Sequence, residues 1–275
     1  MSLLEGRALA ASIRGEIAAE IESFASPPVL AALVATDDPA TEWYVGSIAK
    51  AAASLGIDLR EERVGTDDPA AVLRRLDELS AAAGVHAIIC LTPLPAGLGL
   101  SEAGEHIAPA KDVDGASPLS LGRLAAGLPA FAPATAQAVI ELLHHASTPL
   151  EGAEAVVVGR STVVGKPLAL LLLAAQATVT VCHTRTRDLA AVTRRASVLV
   201  AAAGRAQMIG ADHVAPGAVV IDVGTNEAED GSMVGDVDTA AVEPVASAVT
   251  PVPGGVGPVT TAVLLRNVVE AARPR

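Results

Sequence analysis

The stretch VVVGRSTVVGKPLALLL, Val156 to Leu172, decides the fold. A hydrophobic strand runs into Gly159, then Ser161, Gly165 and Pro167, and an apolar helix follows. A dinucleotide needs three things from such a corner: a tight turn, a backbone that comes close to the phosphates, and helix N–H groups facing an anion. The spacing meets the G-x-G-x-x-G pattern in part. Ser161 holds the place of the second glycine, and Val164-Gly165 follows. An ordinary strand–turn–helix corner is the other reading of the same residues.

Working outward, a second strand, Thr178–Cys182, ends at His183-Thr184-Arg185-Thr186-Arg187. The end of that strand meets the adenosine ribose in a Rossmann unit. An acidic residue there favours NAD. Hydroxyls and arginines, with Arg160 in the first turn, favour NADP, because arginine pairs a phosphate bidentately. NAD is the alternative, and solvated surface charge is the plain reading of Arg185 and Arg187. Further apolar strands are expected at Val29–Ala35, His86–Leu91, Ala155–Val158, Ser197–Ala201 and Ala218–Val223. Helical patterns fall at Leu9–Phe24, Ala40–Leu55, Pro69–Ala83, Ala136–His145, Val164–Ala174, Asp188–Ala196 and Val259–Ala272. Strands that are apolar throughout, with helices between, predict parallel sheets covered on both faces. The fold class is α/β in two domains: an N-terminal α/β domain, 1–125, and a Rossmann-like domain, 126–257. A C-terminal helix, 258–275, returns to the first.

Composition narrows the function. Of 275 residues, 51% are hydrophobic and 1% aromatic, with one Tyr (Tyr44) and one Trp (Trp43). The lysines are Lys50, Lys111 and Lys166. A net charge of −12 argues against a nucleic-acid partner, which needs clustered positive charge. Leu168–Cys182 is the longest apolar candidate and is too short to span a membrane. The opening MSLLEGRALAASIRGEI lacks a basic n-region, so no signal peptide is expected. Cys90 and Cys182 sit in strand-like runs as buried reduced thiols, and no Cys or His has metal-ligand spacing. A soluble cytoplasmic protein with no metal is the expectation.

Three further motifs stand out. KDVDG, Lys111 to Gly115, sets two carboxylates beside a lysine, and either binds a polar substrate edge or makes a capped turn. IDVGTN, Ile221 to Asn226, is a strand ending in Gly224-Thr225 at a ligand edge or a plain strand end. PVPGGVGP, Pro251 to Pro258, lets a ligand approach the backbone or makes a rigid turn before the last helix.

Together these motifs resemble the methylenetetrahydrofolate dehydrogenase/cyclohydrolase (FolD) family, nearly end to end. LEGRALAASIRGEI, TEWYVGSIAKAAASLGI, TPLPAG, KDVDG, GRSTVVGKP, IDVGTN with VGDV after it, and TPVPGGVGPVTTAVLL carry the likeness. The resemblance implies a tetrahydrofolate one-carbon adduct as substrate and NADP as hydride acceptor. It implies hydride transfer from 5,10-methylenetetrahydrofolate, then water addition to the methenyl product. It also implies a homodimer. Tyr44 matches a tyrosine that stacks on the folate, and Asp114 an aspartate that hydrogen-bonds the pterin. These two are the catalytic and substrate-binding candidates, and Pro253, Gly254 and Gly255 match a loop lining the folate. Gly159, Arg160, Ser161, Val164, Gly165, Thr184, Arg185, Gly224 and Thr225 are the cofactor-binding candidates.

The sequence departs from the family at one catalytic pair. The family lysine falls four residues after the tyrosine, where this chain has Ile48. At about 100° per residue, position i+4 lies about 40° from Tyr44 around a helix, whereas Lys50 lies about 240° away. The family glutamine that supports the lysine is replaced by Leu91. Ala134 and Ala136 stand where the family reads Cys and Pro. Hydride transfer needs proximity and orientation, whereas ring opening needs proton movement. The expectation is therefore a dehydrogenase with the cyclohydrolase activity lost or weak. Two alternatives stand beside it: a paralogue acting on another folate adduct, and a non-catalytic folate- or nucleotide-binding protein.

Overall fold

The structure is a computed structural model, and it describes residues 2–228 and 230–273. In chain order the first elements are β1 (Ser2–Leu3), α1 (Arg7–Ile21), β2 (Val29–Val34), α2 (Pro39–Ser54), β3 (Asp58–Arg63), α3 (Pro69–Ala81) and β4 (Ala87–Cys90). Then come α4 (Leu100–Glu105), α5 (Pro118–Ala125), α6 (Ala134–His145), β5 (Glu154–Val158), α7 (Gly165–Ala174), β6 (Thr178–Cys182), α8 (Leu189–Thr193) and β7 (Val198–Ala201). A 3-10 turn (Ala211–His213), β8 (Val219–Asp222), β9 (Asn226–Glu227), β10 (Met233–Val234), α9 (Thr239–Val242), β11 (Ala248–Val249) and α10 (Val256–Ala271) complete it. The chain divides into two compact units: residues 11–134 with 261–273, and residues 2–10 with 135–260. Of the C-terminal helix expected to return to the first domain, residues 261–273 belong with 11–134. Positions 274 and 275, and position 1 of the expected first domain, lie outside the described residues.

The unit built on 11–134 holds a three-stranded parallel sheet, β3-β2-β4. All six residues of central β2 are buried, as its unbroken apolar run predicts. The sequence reading places no strand at β3, whose DLREER has no apolar alternation. It is a sheet edge, registered from Val29↔Asp58 to Val34↔Arg63. Its charges pair outward, Arg63 with Glu42 on α2 and Glu62 with Arg75 on α3. Exposed pairs of this kind contribute little individually. α2 starts where Asp38 accepts the Thr41 N–H at 2.9 Å, with Pro39 in the first turn. The Thr41 hydroxyl also donates to the Thr92 carbonyl at 2.8 Å, tying α2 to the turn after β4. Ile48, Leu30, Leu33, Leu76 and Ile88 lie fully buried in this unit.

The other unit holds a six-stranded sheet in the order β1-β11-β8-β7-β5-β6, with every pair parallel. Val158 of β5 lies opposite Cys182 of β6 and Ala201 of β7. The chain leaves β5 for the edge at β6, then crosses back to β7 on the far side. That reversal is a topological switch point, and ligands bind such sheets outside the carboxyl ends of the strands there. Two glycines close the corner. A Cβ on Gly159 (φ 138°) would fall on the Ala202 carbonyl oxygen, and one on Gly165 on the Gly159 carbonyl oxygen. Cys90 and Cys182 are buried free thiols. No helix among the described residues is long and apolar enough to cross a membrane.

Because the blocking atoms at Gly165 are backbone, they cannot rotate away. Gly165→Ala is expected to lower stability by about 1–3 kcal/mol or more, read as the shift in urea midpoint at unchanged m.

Candidate active site

In the dinucleotide corner, Ser161 acts as a cap. Its Oγ accepts the N–H of Val164 at 3.1 Å and of Gly165 at 3.4 Å, and its carbonyl accepts the Lys166 N–H at 3.0 Å. This is why serine serves where the pattern has its second glycine. Among the described residues, the backbone N–H groups of 160–163 donate to nothing in the chain. Four unpartnered donors ahead of the positive end of α7 fit an anion the size of a pyrophosphate. Gly159 N donates to Cys182 O at 2.9 Å, so the turns after β5 and β6 leave the sheet side by side. Arg160, Thr184 and Arg185 are exposed there, as is Arg187. None of the three guanidinium groups has a partner among the described residues.

Beyond β8 the sequence reading missed a buried pair of carboxylates. Asp222 accepts N–H bonds from Gly224, Asp236 and Val237, each at 2.9 Å. Asp236 accepts from Ala203 (2.5 Å), Gly204 (3.0 Å) and Arg205 (2.8 Å), and from Asn226 Nδ2 (3.0 Å). Burial pushes the Asp222 carboxyl up to about 6 against the pull of its N–H partners, and the neighbouring Asp236 adds to the rise. Gly224 and Gly235 are glycines because these carboxylates occupy the space of a Cβ. The signal in the sequence was an acid beside a glycine in each of two apolar stretches, IDVG and VGDV. Thr225 is exposed, whereas Gly224 is buried beneath Asp236.

The loop carrying Pro253, Gly254 and Gly255 belongs to this same unit. Gly254 (φ 110°) accepts the Gly6 N–H at 2.9 Å, and Gly255 N donates to Pro251 O at 2.8 Å. A Cβ on Gly6 would meet the Gly255 carbonyl oxygen, which explains the glycine in LEGRAL. Pro253 is exposed at the tip.

Tyr44, Ile48, Leu91 and Asp114 all lie in the unit built on 11–134. Of the KDVDG charges, two are committed to structure. Lys111 Nζ donates to Leu79 O (3.2 Å) and Ala82 O (2.7 Å), capping the C-terminus of α3, and burial lowers its pKa. The Asp112 carboxylate accepts from Ala116 N, Ser117 N and Ser120 Oγ. Asp114 remains, with Oδ1 accepting, among the described residues, only the Ala134 N–H at 3.0 Å. Burial, the dominant cause, pushes its carboxyl up to about 6; the Ala134 hydrogen bond opposes this and Asp112 adds to it. Tyr44 is half-buried, and burial first and Asp114 second raise its phenol. Its hydroxyl has no hydrogen bond among the described residues. Ile48, one turn along α2, is 0% exposed and Leu91 4%, while Lys50 is exposed.

The class follows from these features: a protein with one dinucleotide-binding α/β unit and a second α/β unit presenting a tyrosine and an aspartate. The family model described as "Tetrahydrofolate dehydrogenase/cyclohydrolase, catalytic domain" matches residues 4–114, and the "NAD(P)-binding domain" of the same family matches 133–275. The chain belongs to the tetrahydrofolate dehydrogenase/cyclohydrolase family. It is 56% identical over 275 residues to the bifunctional protein FolD of Parafrankia sp. (strain EAN1pec), covering 99% of each chain. Among solved structures it is similar to the bifunctional FolD of Campylobacter jejuni, with TM-score 0.95, 40% identity and coverage of 99% and 98%. The Trypanosoma brucei FolD, solved with NADP cofactor and an inhibitor, has TM-score 0.92, 32% identity and coverage of 98% and 96%.

The raised carboxyl of Asp114 fixes a sign. Between about pH 4, the ordinary aspartate value, and about 6, the folded state binds more protons at Asp114 than the unfolded state. That contribution is full below the lower value and is lost as pH rises through the upper one. Relative to Asp114→Asn, the wild type is expected to gain stability as pH falls from 6.5 to about 4, measured by urea unfolding of both proteins across that range.

Proposed function

We propose that this chain is a methylenetetrahydrofolate dehydrogenase that keeps hydride transfer and has lost, or nearly lost, the cyclohydrolase step. Family membership supplies the substrate class and the NAD(P) chemistry. The burial of Ile48 one turn from Tyr44, with Lys50 exposed, carries the second half.

Tyr44 stacks on the folate, and Asp114 accepts hydrogen bonds from the pterin edge through its uncommitted oxygen. Pro253, Gly254 and Gly255 are further folate-binding candidates, as the family resemblance implies. The N–H groups of 160–163 hold the pyrophosphate, with Gly159, Val164 and Gly165 shaping their turn. Arg160 and Arg185, with Thr184, hold a 2′-phosphate, which makes the cofactor NADP rather than NAD. Gly224 and Thr225 border the dinucleotide beyond β8. NADP supplies the acceptor carbon for the hydride. The methylene C–H breaks and its electron pair leaves with the hydrogen, giving the methenyl cation with no proton to remove. Position and dryness therefore suffice. Opening the methenyl ring is different: the attacking water must lose a proton and the leaving nitrogen must gain one. Isoleucine and leucine can do neither, so the product leaves unhydrolysed. The homodimer is proposed through the dinucleotide unit, where edge strand β6 exposes Val181 (38%) and α7 exposes Leu173 (59%).

Purified protein is expected to reduce NADP with methylenetetrahydrofolate while methenyltetrahydrofolate decays at the buffer rate. Enzyme-dependent hydrolysis at a rate comparable to hydride transfer would sink the proposal. NADP binding without turnover would instead favour a paralogue with another substrate. Ile48→Lys with Leu91→Gln is expected to raise hydrolysis about 100-fold, the lower range for a positioned acid–base group.

Arg185→Ala is expected to raise KM for NADP about 10–100-fold, as for the loss of a hydrogen bond between charged groups. KM for NAD should stay within twofold, and equal effects on both cofactors would rule the arginine out as a phosphate ligand.

A further inference from the structure

Asp222 is 1% exposed and Asp236 0% exposed, and among the described residues neither forms an ion pair. A buried carboxylate without a cation is costly unless hydrogen bonds replace its water. Here three donors reach Asp222 and four reach Asp236. The bonds form a relay. Asp222, at the carboxyl end of β8, fixes the backbone at 236–237. The Asp236 carboxylate then fixes three consecutive N–H groups in the loop leaving β7, and the side chain of Asn226 in the loop leaving β8. Glycines at 224 and 235 admit the two carboxylates to the backbone.

The position of these loops gives the relay a consequence. They leave the carboxyl edge on the β7–β8 side of the switch point, away from β6. The adenosine half of a dinucleotide lies toward the second strand of such a unit, here β6, so the reacting ring lies over β7 and β8. We infer that Asp236 is a positioning residue for the nicotinamide half of the cofactor: it locks residues 203–205 and Asn226 into the floor on which the reacting ring settles. The inference rests on the dinucleotide reading of this unit and goes beyond it, because Asp236 acts through the backbone of other residues.

The two halves of the ligand separate this role from a general structural one. In Asp236→Asn, one acceptor oxygen becomes an NH2 that faces N–H groups at nearly constant volume. Calorimetric titration with 2′,5′-ADP, the adenosine half alone, is expected to give a Kd within twofold of wild type. NADP should bind at least fivefold more weakly, and kcat for NADP reduction should fall at least tenfold. The inference is overturned if NADP affinity and kcat stay within twofold, or if 2′,5′-ADP and NADP weaken by equal factors. Should Asp236→Asn not fold, Asn226→Ala, which removes a half-buried donor and leaves the carboxylates in place, must show the same split in the same direction. Its absence overturns the inference. A wild type that binds no 2′,5′-ADP overturns the dinucleotide reading instead.

Discussion

The parallel pairing of β5 between β6 and β7 is the constraint on which the rest of the dinucleotide unit depends. It sets Val158, Cys182 and Ala201 side by side, so that every loop with a candidate role leaves the same sheet edge. It also forces the backbone after β5 against Ala202, where only glycine fits at 159, and the Gly159 carbonyl in turn leaves room only for glycine at 165. Once those contacts are closed, Ser161 can cap α7 and leave the preceding N–H groups facing outward. The row of unpartnered N–H groups is thus a by-product of close backbone packing. Arg160 and Arg185 at the neighbouring turns are exposed and without partners among the described residues.

The other unit divides its polar groups between those committed to scaffold and those left uncommitted. Its charged motif, KDVDG, is mostly scaffold: Lys111 caps a helix and Asp112 gathers the following turn. That leaves Asp114 as the carboxylate with an uncommitted oxygen, close enough to Tyr44 to influence its phenol. The scarcity of lysine in the composition acquires a physical meaning here. Lys50 and Lys166 are exposed, Lys111 is held by carbonyls, and Ile48 on α2 is part of an apolar core.

Much of this was legible in advance for identifiable reasons. Strands such as Val29–Val34 and Val198–Ala201 are apolar throughout because both faces of a parallel sheet are covered, and such runs announce themselves. β3 did not, because an edge strand with charged residues carries no period of its own and is defined by its neighbour β2. β1 and β11 are two residues each, too short to leave a pattern, and exist only as rungs, β11 beside β8 and β1 beside β11. The candidate residues stood out in the sequence wherever a residue type has a special chemistry: the glycines, the arginines, the sole tyrosine. The carboxylate relay was not, since Asp222 and Asp236 are fourteen positions apart and local spacing says nothing of their meeting.

The sequence by itself determined the two α/β units, the family, and the apolar residues at 48 and 91. These follow from residue identity and from periodicities over a few neighbours, which the chain carries wherever it folds. Only the tertiary structure decided which polar groups are free. Of two adjacent motif aspartates, it committed Asp112 to backbone and left Asp114 an open oxygen. It also turned the glycines of IDVGTN and VGDV into gaps for buried carboxylates. The physical reason is that a polar atom's role depends on which donors surround it after burial, and those donors come from segments that sequence order does not place together.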